Sequence, residues 1–507
     1  MFDALFTTTT EYKKLSHALS GKGACALFGL PASGRAQVYA ALCRQLDKPL
    51  CIVTPGEAEA TRFAADLNTL GIPAAVFPAR DYVLRPIEGT AREYEYRRLA
   101  VLGELVGGRL RAVAVPAEAL TQFTTPKEDF CANTRTLHAG DTLLRDDLLA
   151  ALFGAGYTRR AQVDGPGQFS VRGDIVDIFA PDQKMPVRME FWGDEIDTLH
   201  TFDLTTQRRE DAIDKFYLSP AREVLFGKPA DAAEQLRAFL AKQRGKKKTA
   251  MADCMAADLD LLDGGAVPVN MDKYLAVRYP HPATVLDYFD DPILVAEEPA
   301  SIREADRATA YRRGEELKSL ILDGVLCAGL DNLYADPSYL WSKTGHYRTI
   351  CAENFARSMP DQPLKDIINA PAHTLPAWNG EVAGLLEDLK PLCDAGYTVT
   401  LLAGTDRAAA GLARDLRDKG ILVTTDAAAA PAAGLVQVLA GHLSAGCEFP
   451  FAKYALLTGR AFGETSSQKK KRKKAKDALN SLTEITPGDL VVHQNHGIGR
   501  DAGIQRM

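Results

Sequence analysis

A glycine-spaced turn near the start of the chain has the spacing of a phosphate-binding loop. It begins at Gly29 and reaches Gly34, Arg35 and Ala36 at the opening of a predicted helix. A working loop needs a lysine that reaches the β- and γ-phosphates and a Ser or Thr hydroxyl that binds magnesium. Arg35 and Ala36 occupy those two positions, and alanine cannot bind a metal ion. Two interpretations remain: a vestigial loop, or a loop that still binds an anion or nucleotide at its helix N-terminus.

An acidic pair and two histidines also have side chains suited to chemistry. Glu297 and Glu298 follow an apolar strand, where a motor ATPase carries its acidic metal-binding residue. With a defective loop this pair cannot hydrolyse ATP alone, and a solvated pair at a strand end is the alternative. His493 and His496 have no cysteine or further histidine nearby, so the ligand set for a metal is incomplete. The sequence therefore predicts no metal site and, without a Ser/His/Asp or Cys/His signature, no catalytic residue.

Two arginines and a tryptophan stand on short alternating strands in the first half of the chain. Arg172 belongs to the run QFSVRG, while Arg188 and Trp192 belong to the run PVRMEFW. Arginine and tryptophan carry much of the binding energy where they cluster on an exposed face. The alternative, which composition alone favours, is that Trp192 packs in its own core and the arginines are ordinary surface charges.

The pattern of apolar residues predicts an α/β fold with an inserted antiparallel sheet. From Ala24 strands and helices alternate, which is typical of a parallel sheet covered by helices. A period of two between about 141 and 220 predicts an antiparallel sheet, with Gly193 and Asp194 supplying the left-handed torsions of a tight hairpin. Helices and an apolar strand return from about 223, no element is assigned between 336 and 375, and α/β order recurs after about 380. The fold class is therefore multidomain α/β: a degenerate P-loop-type parallel sheet, an inserted small antiparallel α+β domain, and a separate small α/β domain.

The length of 507 residues exceeds one ordinary core, so several domains are expected. The predicted segments are 1–125, the first half of a P-loop-like α/β module; 126–215, the inserted antiparallel domain; 216–345, the second half of the module; 350–460, a small α/β domain; 461–482, a basic linker; and 483–507, the truncated start of a further unit.

The bulk composition excludes several classes of protein. Hydrophobic residues make up 46% and charged residues 25%, as in folded soluble proteins. The start has no signal-peptide pattern and no later apolar run is long enough to span a membrane, so a cytoplasmic protein is expected. Nine cysteines without a CxxC pair predict neither a disulfide framework nor structural zinc. The net charge of −6 confines any DNA contact to a local patch such as Lys469 to Lys476, which otherwise is a solvated linker.

These motifs resemble the N-terminal part of the bacterial transcription-repair coupling factors. The run GQFSVRGDIVDIF, followed by PVRMEFWGDEIDTLHTFDLTTQR, is similar to the domain that these factors share with the repair protein UvrB and through which both bind UvrA. The flanking α/β segments resemble the UvrB-like module of the coupling factors, in which the phosphate loop is degenerate. The ending GDLVVHQNHGIGRDAGI is similar to the start of their RNA-polymerase-interacting domain.

The resemblance implies a scaffold that recruits UvrA where RNA polymerase has stalled, without enzyme activity in this chain. It implies that 126–215 is the UvrA-binding domain and that Arg172, Arg188 and Trp192 contact UvrA, although some relatives have phenylalanine in place of Trp192. The partial polymerase-interacting unit would include Val492, His493, His496, Gly497 and Gly499. Full-length members are helicase-like hydrolases that translocate on double-stranded DNA. Their ATP and magnesium serve motor domains that lie beyond these residues, so no cofactor and no membrane contact are expected here.

Overall fold

The computed structural model describes residues 3–87, 92–357, 359, 362–378, 381–430, 432–459, 490–493 and 497–500. The chain divides into two compact units, Met1–Gly459 and Arg460–Met507. None of the helices in the described ranges combines the length and the apolar character that crossing a bilayer needs.

Seven parallel strands form the largest sheet of the first unit. They are β1 (Gly23–Phe28), β2 (Leu50–Thr54), β3 (Ala74–Val76), β4 (Ala112–Pro116), β13 (Ile293–Glu297), β14 (Arg348–Glu353) and β15 (Leu364–Asn369). Their spatial order is β15-β1-β14-β13-β2-β4-β3, with every neighbouring pair parallel. The central strands β2, β4 and β13 are continuous apolar runs because both faces of the sheet are buried there.

Helices cover this sheet on both sides. They are α1 (Asp3–Thr7), α2 (Thr10–Ala18), α3 (Ala32–Leu46), α4 (Glu57–Thr69), α5 (Glu93–Val106), α6 (Ala117–Leu120), α12 (Pro299–Leu322) and α13 (Tyr339–Lys343). One core contains Leu42 of α3 and Phe63 of α4, and the core on the other side contains Leu99 of α5 and Ile302 of α12. The alternation of strand and helix predicted from Ala24 is therefore confirmed.

The unassigned stretch between 336 and 375 holds α13, β14 and β15. Its last strand, β15, pairs with β1, so the parallel sheet continues past the predicted boundary at 350. β15 is an edge strand with only Ile368 fully buried, and an edge strand lacks the continuous apolar run that announces a central parallel strand.

The inserted region forms a six-stranded sheet. Its strands are β6 (Thr158–Arg159), β7 (Gln168–Arg172), β8 (Ile175–Phe179), β9 (Val187–Trp192), β10 (Glu195–Phe202) and β11 (Arg209–Ala212), in the order β11-β10-β9-β8-β7-β6. All pairs are antiparallel except β6 with β7. Helix α8 (Arg145–Gly154) contributes Leu148 and Leu152 to the core on one face.

Two predictions about this region need correction. The antiparallel sheet predicted between about 141 and 220 does not include β12 (Lys215–Leu218), which pairs with β5 (Arg135–His138) in a separate two-stranded sheet; β5 follows α7 (Lys127–Ala132) in the chain. In the β9–β10 hairpin Gly193 has φ +62°, whereas Asp194 stays outside the left-handed region. One left-handed residue suffices when glycine takes the first central position of the turn.

A buried ionic network holds the point where the chain returns from the inserted region. Glu223 is fully buried and accepts from Arg98, whose Nε lies 2.6 Å from Oε1. Arg80 pairs with the same carboxylate and with Asp272, at 3.1 and 2.7 Å. Buried charges are tolerated when they are paired and hydrogen-bonded. The network therefore links Glu223 to Arg98 of α5 and, through Arg80, to Asp272 of the 3-10 helix Met271–Tyr274.

The helical segment and the last sheet complete the first unit. The helices are α9 (Pro229–Ala241), α10 (Gly245–Asp263), α11 (Leu275–Arg278) and the 3-10 helices Met271–Tyr274, Val285–Tyr288 and Pro450–Ala452. The last sheet is mixed, with strands β16 (His373–Leu375), β17 (Thr398–Leu402), β18 (Val423–Thr424), β19 (Val436–Leu439), β20 (Gly446–Phe449) and β21 (Tyr454–Thr458), and helices α14 (Val382–Asp394) and α15 (Asp406–Asp418).

In the second unit β22 (Leu490–His493) pairs antiparallel with β23 (Gly497–Arg500). The predicted fold class, multidomain α/β with a parallel sheet, an inserted antiparallel sheet and a further α/β sheet, is confirmed.

Candidate functional site

One face of the six-stranded sheet packs on a core and the other carries polar side chains. On β9 the side chains at 187, 189 and 191 are buried in the core, so alternation directs Arg188, Glu190 and Trp192 to the opposite side. The same alternation on β7 and β8 brings Arg172 and Asp177 to that side. We name the side that carries Arg172, Asp177, Arg188 and Trp192 the arginine face.

Trp192 is the most exposed large side chain of the arginine face. It is 82% exposed and stands at the end of β9, directly before the turn at Gly193. This exposure does not fit the alternative in which Trp192 packs in its own core. Exposed tryptophan and arginine side chains on one face of a sheet are typical of a surface that binds another protein.

A buried carboxylate ties the two arginines together. Asp177 has no exposed side-chain surface and lies on β8, between the strands that carry the arginines. Arg188 donates through Nε to Oδ1 at 2.6 Å and through Nη2 to Oδ2 at 2.9 Å. Arg172 donates through Nη2 to Oδ2 at 2.6 Å. Three charge-assisted hydrogen bonds therefore compensate the burial of this carboxylate.

The two arginines differ in how much of each remains available. The Arg188 side chain is 11% exposed, its guanidinium lies 4.8 Å from the ring centroid of Phe202, and its Nη1 donates to the Gln207 carbonyl. The hydrogen bond to Asp177 raises the pKa of Arg188 and keeps it charged. The Arg172 side chain is 49% exposed, so its remaining N–H groups can reach a partner.

The exposure of the arginine face changes along the strands. At one end Phe179 and Phe202 form a small second core with Val163. In the middle Asp177 and Arg188 are directly paired across β8 and β9. Trp192 lies at the other end, about 13 Å from Arg188 because four residues of a strand rise about 3.3 Å each. The open part of the face therefore runs from the arginines toward Trp192.

Sequence reasoning found the arginines and the tryptophan but missed Asp177. Arg172 on β7 and Arg188 on β9 are not on neighbouring strands, because β8 lies between them. The missed signal is the aspartate in the run DIVDIF, a charged residue in the middle of an otherwise apolar strand. Burial of such a residue demands a cationic partner on an adjacent strand.

The glycine loop, Gly29–Ala36, lies between β1 and the first turn of α3, as its spacing predicts. Gly29 has φ +87°, and a Cβ there would lie 3.0 Å from the Asn369 side chain. A Cβ on Gly34 would lie 2.9 Å from Cys447 Sγ, so β20 packs directly against the helix N-terminus. The space in which a phosphate would approach the backbone is thus partly taken by the chain itself.

Arg35 turns inward from the glycine loop to the acidic pair. Its side chain is 5% exposed, with Nη2 2.8 Å from Glu298 Oε1 and Nε 3.2 Å from Glu297 Oε2. Tyr39 donates its hydroxyl to Glu297 Oε1 at 2.5 Å. Burial raises the pKa of Glu297, and the Arg35 charge opposes that rise. Glu297 is therefore not the solvated strand-end residue of the alternative interpretation, whereas Glu298 is partly exposed.

Comparison with known proteins identifies proteins that are similar to this chain. The family described as the UvrB interaction domain matches residues 136–224, which include all of the arginine face. Over 496 residues the chain is 26% identical to the transcription-repair-coupling factor of Bacillus subtilis (strain 168), covering 95% of the chain and 42% of that protein. The coupling factors of Staphylococcus haemolyticus (strain JCSC1435) and Staphylococcus aureus (strain MRSA252) are 26% and 24% identical, each over 94% of the chain. Over that length the chain is similar to the transcription-repair-coupling factors.

The chain spans about 42% of the length of the curated proteins it matches. The matched part is their N-terminal region. The resemblance inferred from the motifs is therefore confirmed.

The remaining predicted residues lie in the second unit. Val492 and His493 belong to β22, and Gly497 and Gly499 to β23. His496 and the basic run from Lys469 to Lys476 fall outside the described residues. Within the described ranges, no three His, Cys, Asp or Glu side chains are grouped as a metal ion would require.

Proposed function

We propose that this chain recruits the repair protein UvrA through the arginine face, as the repair-protein docking part of a transcription-repair-coupling factor. The observation that carries the proposal is Trp192, 82% exposed on the same side of the sheet as Arg172 and Arg188. The match to the UvrB interaction domain over residues 136–224 supports a repair protein as the partner. Exposed Trp and Arg residues are the types that dominate protein-binding energy.

In this proposal the docking region acts by mimicry. Its surface offers UvrA the contacts that UvrB would offer, and the chain itself needs no catalytic site. Displacement of RNA polymerase and ATP-driven movement on double-stranded DNA would belong to the longer proteins that this chain resembles.

The arrangement of the glycine loop supports a structural and not a catalytic role for that loop. Arg35, which stands where a phosphate-binding lysine is needed, forms ion pairs with Glu297 and Glu298. Ala36 supplies no hydroxyl for magnesium. The nucleotide-binding alternative therefore gains no support. Non-specific DNA binding by the basic run stays a prediction, with weak and steeply salt-dependent affinity as its signature.

The test is the affinity of the chain for purified UvrA, measured by calorimetry. A triple variant changes Arg172, Arg188 and Trp192 to alanine. A matched control changes Arg237, Tyr311 and Arg312 to alanine. These are two exposed arginines and an exposed aromatic residue on helices α9 and α12. We expect the first variant to lose about 2 kcal/mol or more and the control to bind like the parent. Absence of binding by the parent, or equal binding by both variants, would contradict the proposal.

A further inference from the structure

We infer that Asp177 is a positioning residue, which holds Arg172 and Arg188 in the arrangement that the partner of the arginine face recognises. This inference rests on the proposed function. Asp177 cannot contact a partner itself because its side chain has no exposed surface. It touches both arginines, which approach it from the two strands on either side of β8.

Both carboxylate oxygens of Asp177 accept hydrogen bonds, and together they hold the two arginine side chains in place. Oδ1 accepts from Arg188, and Oδ2 accepts from Arg188 and Arg172 together. The two contacts to Arg188 are the planar, bidentate pairing that sets the orientation of a guanidinium. Arg172 is bound through one nitrogen only, so its position depends on where Oδ2 is held.

Arg172 is the residue for which positioning has the largest consequence. A half-exposed arginine without a partner samples many rotamers, and ordering a side chain of this kind on binding has an entropic cost that weakens affinity. The 2.6 Å contact to Asp177 orders the guanidinium before a partner arrives. The outward N–H groups of Arg172 are then presented to a carboxylate or carbonyl of the partner.

The sign of the charge change separates positioning from simple electrostatics. Asp177→Asn removes one negative charge, so the arginine face becomes more positive. If only net charge mattered, binding to an acidic partner surface would be equal or tighter. If Asp177 positions the arginines, binding weakens, because the new amide presents N–H groups to at least one guanidinium that needs an acceptor.

The experiment measures the affinity for purified UvrA of the parent and of four variants. They are Asp177→Asn, the double variant Arg172→Ala with Arg188→Ala, the double variant with Asp177→Asn added, and Asp182→Asn. Asp182 is the control, a partly buried carboxylate of the same region that accepts a hydrogen bond from Ser219 at 2.8 Å and lies in the loop between β8 and β9. Urea unfolding and near-ultraviolet circular dichroism establish that each chain is folded at the assay temperature.

We expect Asp177→Asn to weaken binding about tenfold, since two side chains lose their order. The control should bind like the parent. In the background that lacks both arginines, adding Asp177→Asn should leave the affinity unchanged, because a residue that acts through the arginines has no effect on binding without them. If Asp177→Asn is unfolded, Asp177→Glu, which keeps the charge and displaces the carboxylate by one methylene group, takes its place with the same expectations.

The outcomes are distinguishable. If the parent does not bind UvrA, the proposed function and this inference both fail. Parent-like binding by folded Asp177→Asn overturns the inference and leaves the proposed function intact. An equal loss with and without the arginines also overturns it, because Asp177 would then act through the general stability of the sheet.

Discussion

Arg35 in the glycine loop and Arg172 on the arginine face each donate to a carboxylate, but they differ in what they leave for other molecules. Arg35 is 5% exposed and pairs with Glu297 and Glu298. Arg172 is 49% exposed and uses one nitrogen for Asp177. The same charge-assisted pairing thus closes one region and leaves the other open.

The difference lies in what covers each cluster. The glycine loop is packed under β20, with Cys447 against Gly34. The arginine face has a small apolar core only at the end near Phe202, and the end near Trp192 is uncovered. The glycine loop has a motif that binds phosphate in other proteins, but here it is buried against neighbouring parts of the chain. The arginine face has no catalytic motif, but it is exposed to solvent. Burial, more than residue type, separates the two regions.

The largest expected effect is on stability in the closed region. Arg35→Ala leaves Glu297 buried without its cation, and we expect the free energy of unfolding to fall by about 3 kcal/mol or more. Arg172→Ala is the matched comparison: Asp177 keeps Arg188, so the loss should stay below about 1 kcal/mol. Urea unfolding followed by circular dichroism measures both. Similar losses for the two variants would show that the regions do not differ as their burial indicates.

The next effect is on affinity in the open region. Trp192→Ala should weaken UvrA binding by about 2 kcal/mol, roughly thirtyfold, because the ring is an uncovered anchor. The free energy of unfolding should change by less than about 0.5 kcal/mol, since the side chain makes little contact with the fold. Trp192→Phe keeps an aromatic ring and should retain most of the affinity. A large loss of stability with unchanged affinity would place Trp192 in the fold and not in an interface.

The elements of both regions could be predicted from the sequence because their periods are strong. The alternation around β1, α3 and β2 and the period of two in β7 to β10 gave the two main sheets. Strand β15 was not predicted because edge strands carry weak patterns, and β12 was placed in the wrong sheet because its partner, β5, lies far away in sequence. Pairing between distant strands is decided by packing and not by local propensity.

The candidate site could be predicted only in part for the same reason. Arg172, Arg188 and Trp192 stand out by type, but their exposure does not follow from type. Asp177 and the contact between Arg35 and Glu298 depend on strand order, and the latter joins residues 263 positions apart. A sequence motif indicates which groups are present, whereas register and burial decide which of them meet.

The smallest expected effect is that of magnesium and ATP on a variant of the glycine loop. Arg35→Lys with Ala36→Thr restores the residue types of a phosphate-binding loop. We expect magnesium and ATP to leave the melting temperature unchanged within about 1 °C, whereas ATP at a hundred times its dissociation constant would add about 2.7 kcal/mol of stability. A lysine at 35 would still face Glu297 and Glu298, and Cys447 would still lie against Gly34. Inorganic phosphate at equal ionic strength is the control for simple anion binding by the parent. A rise of several degrees with ATP alone would mean that the loop is closed by its two substituted residues and not by the packing around it.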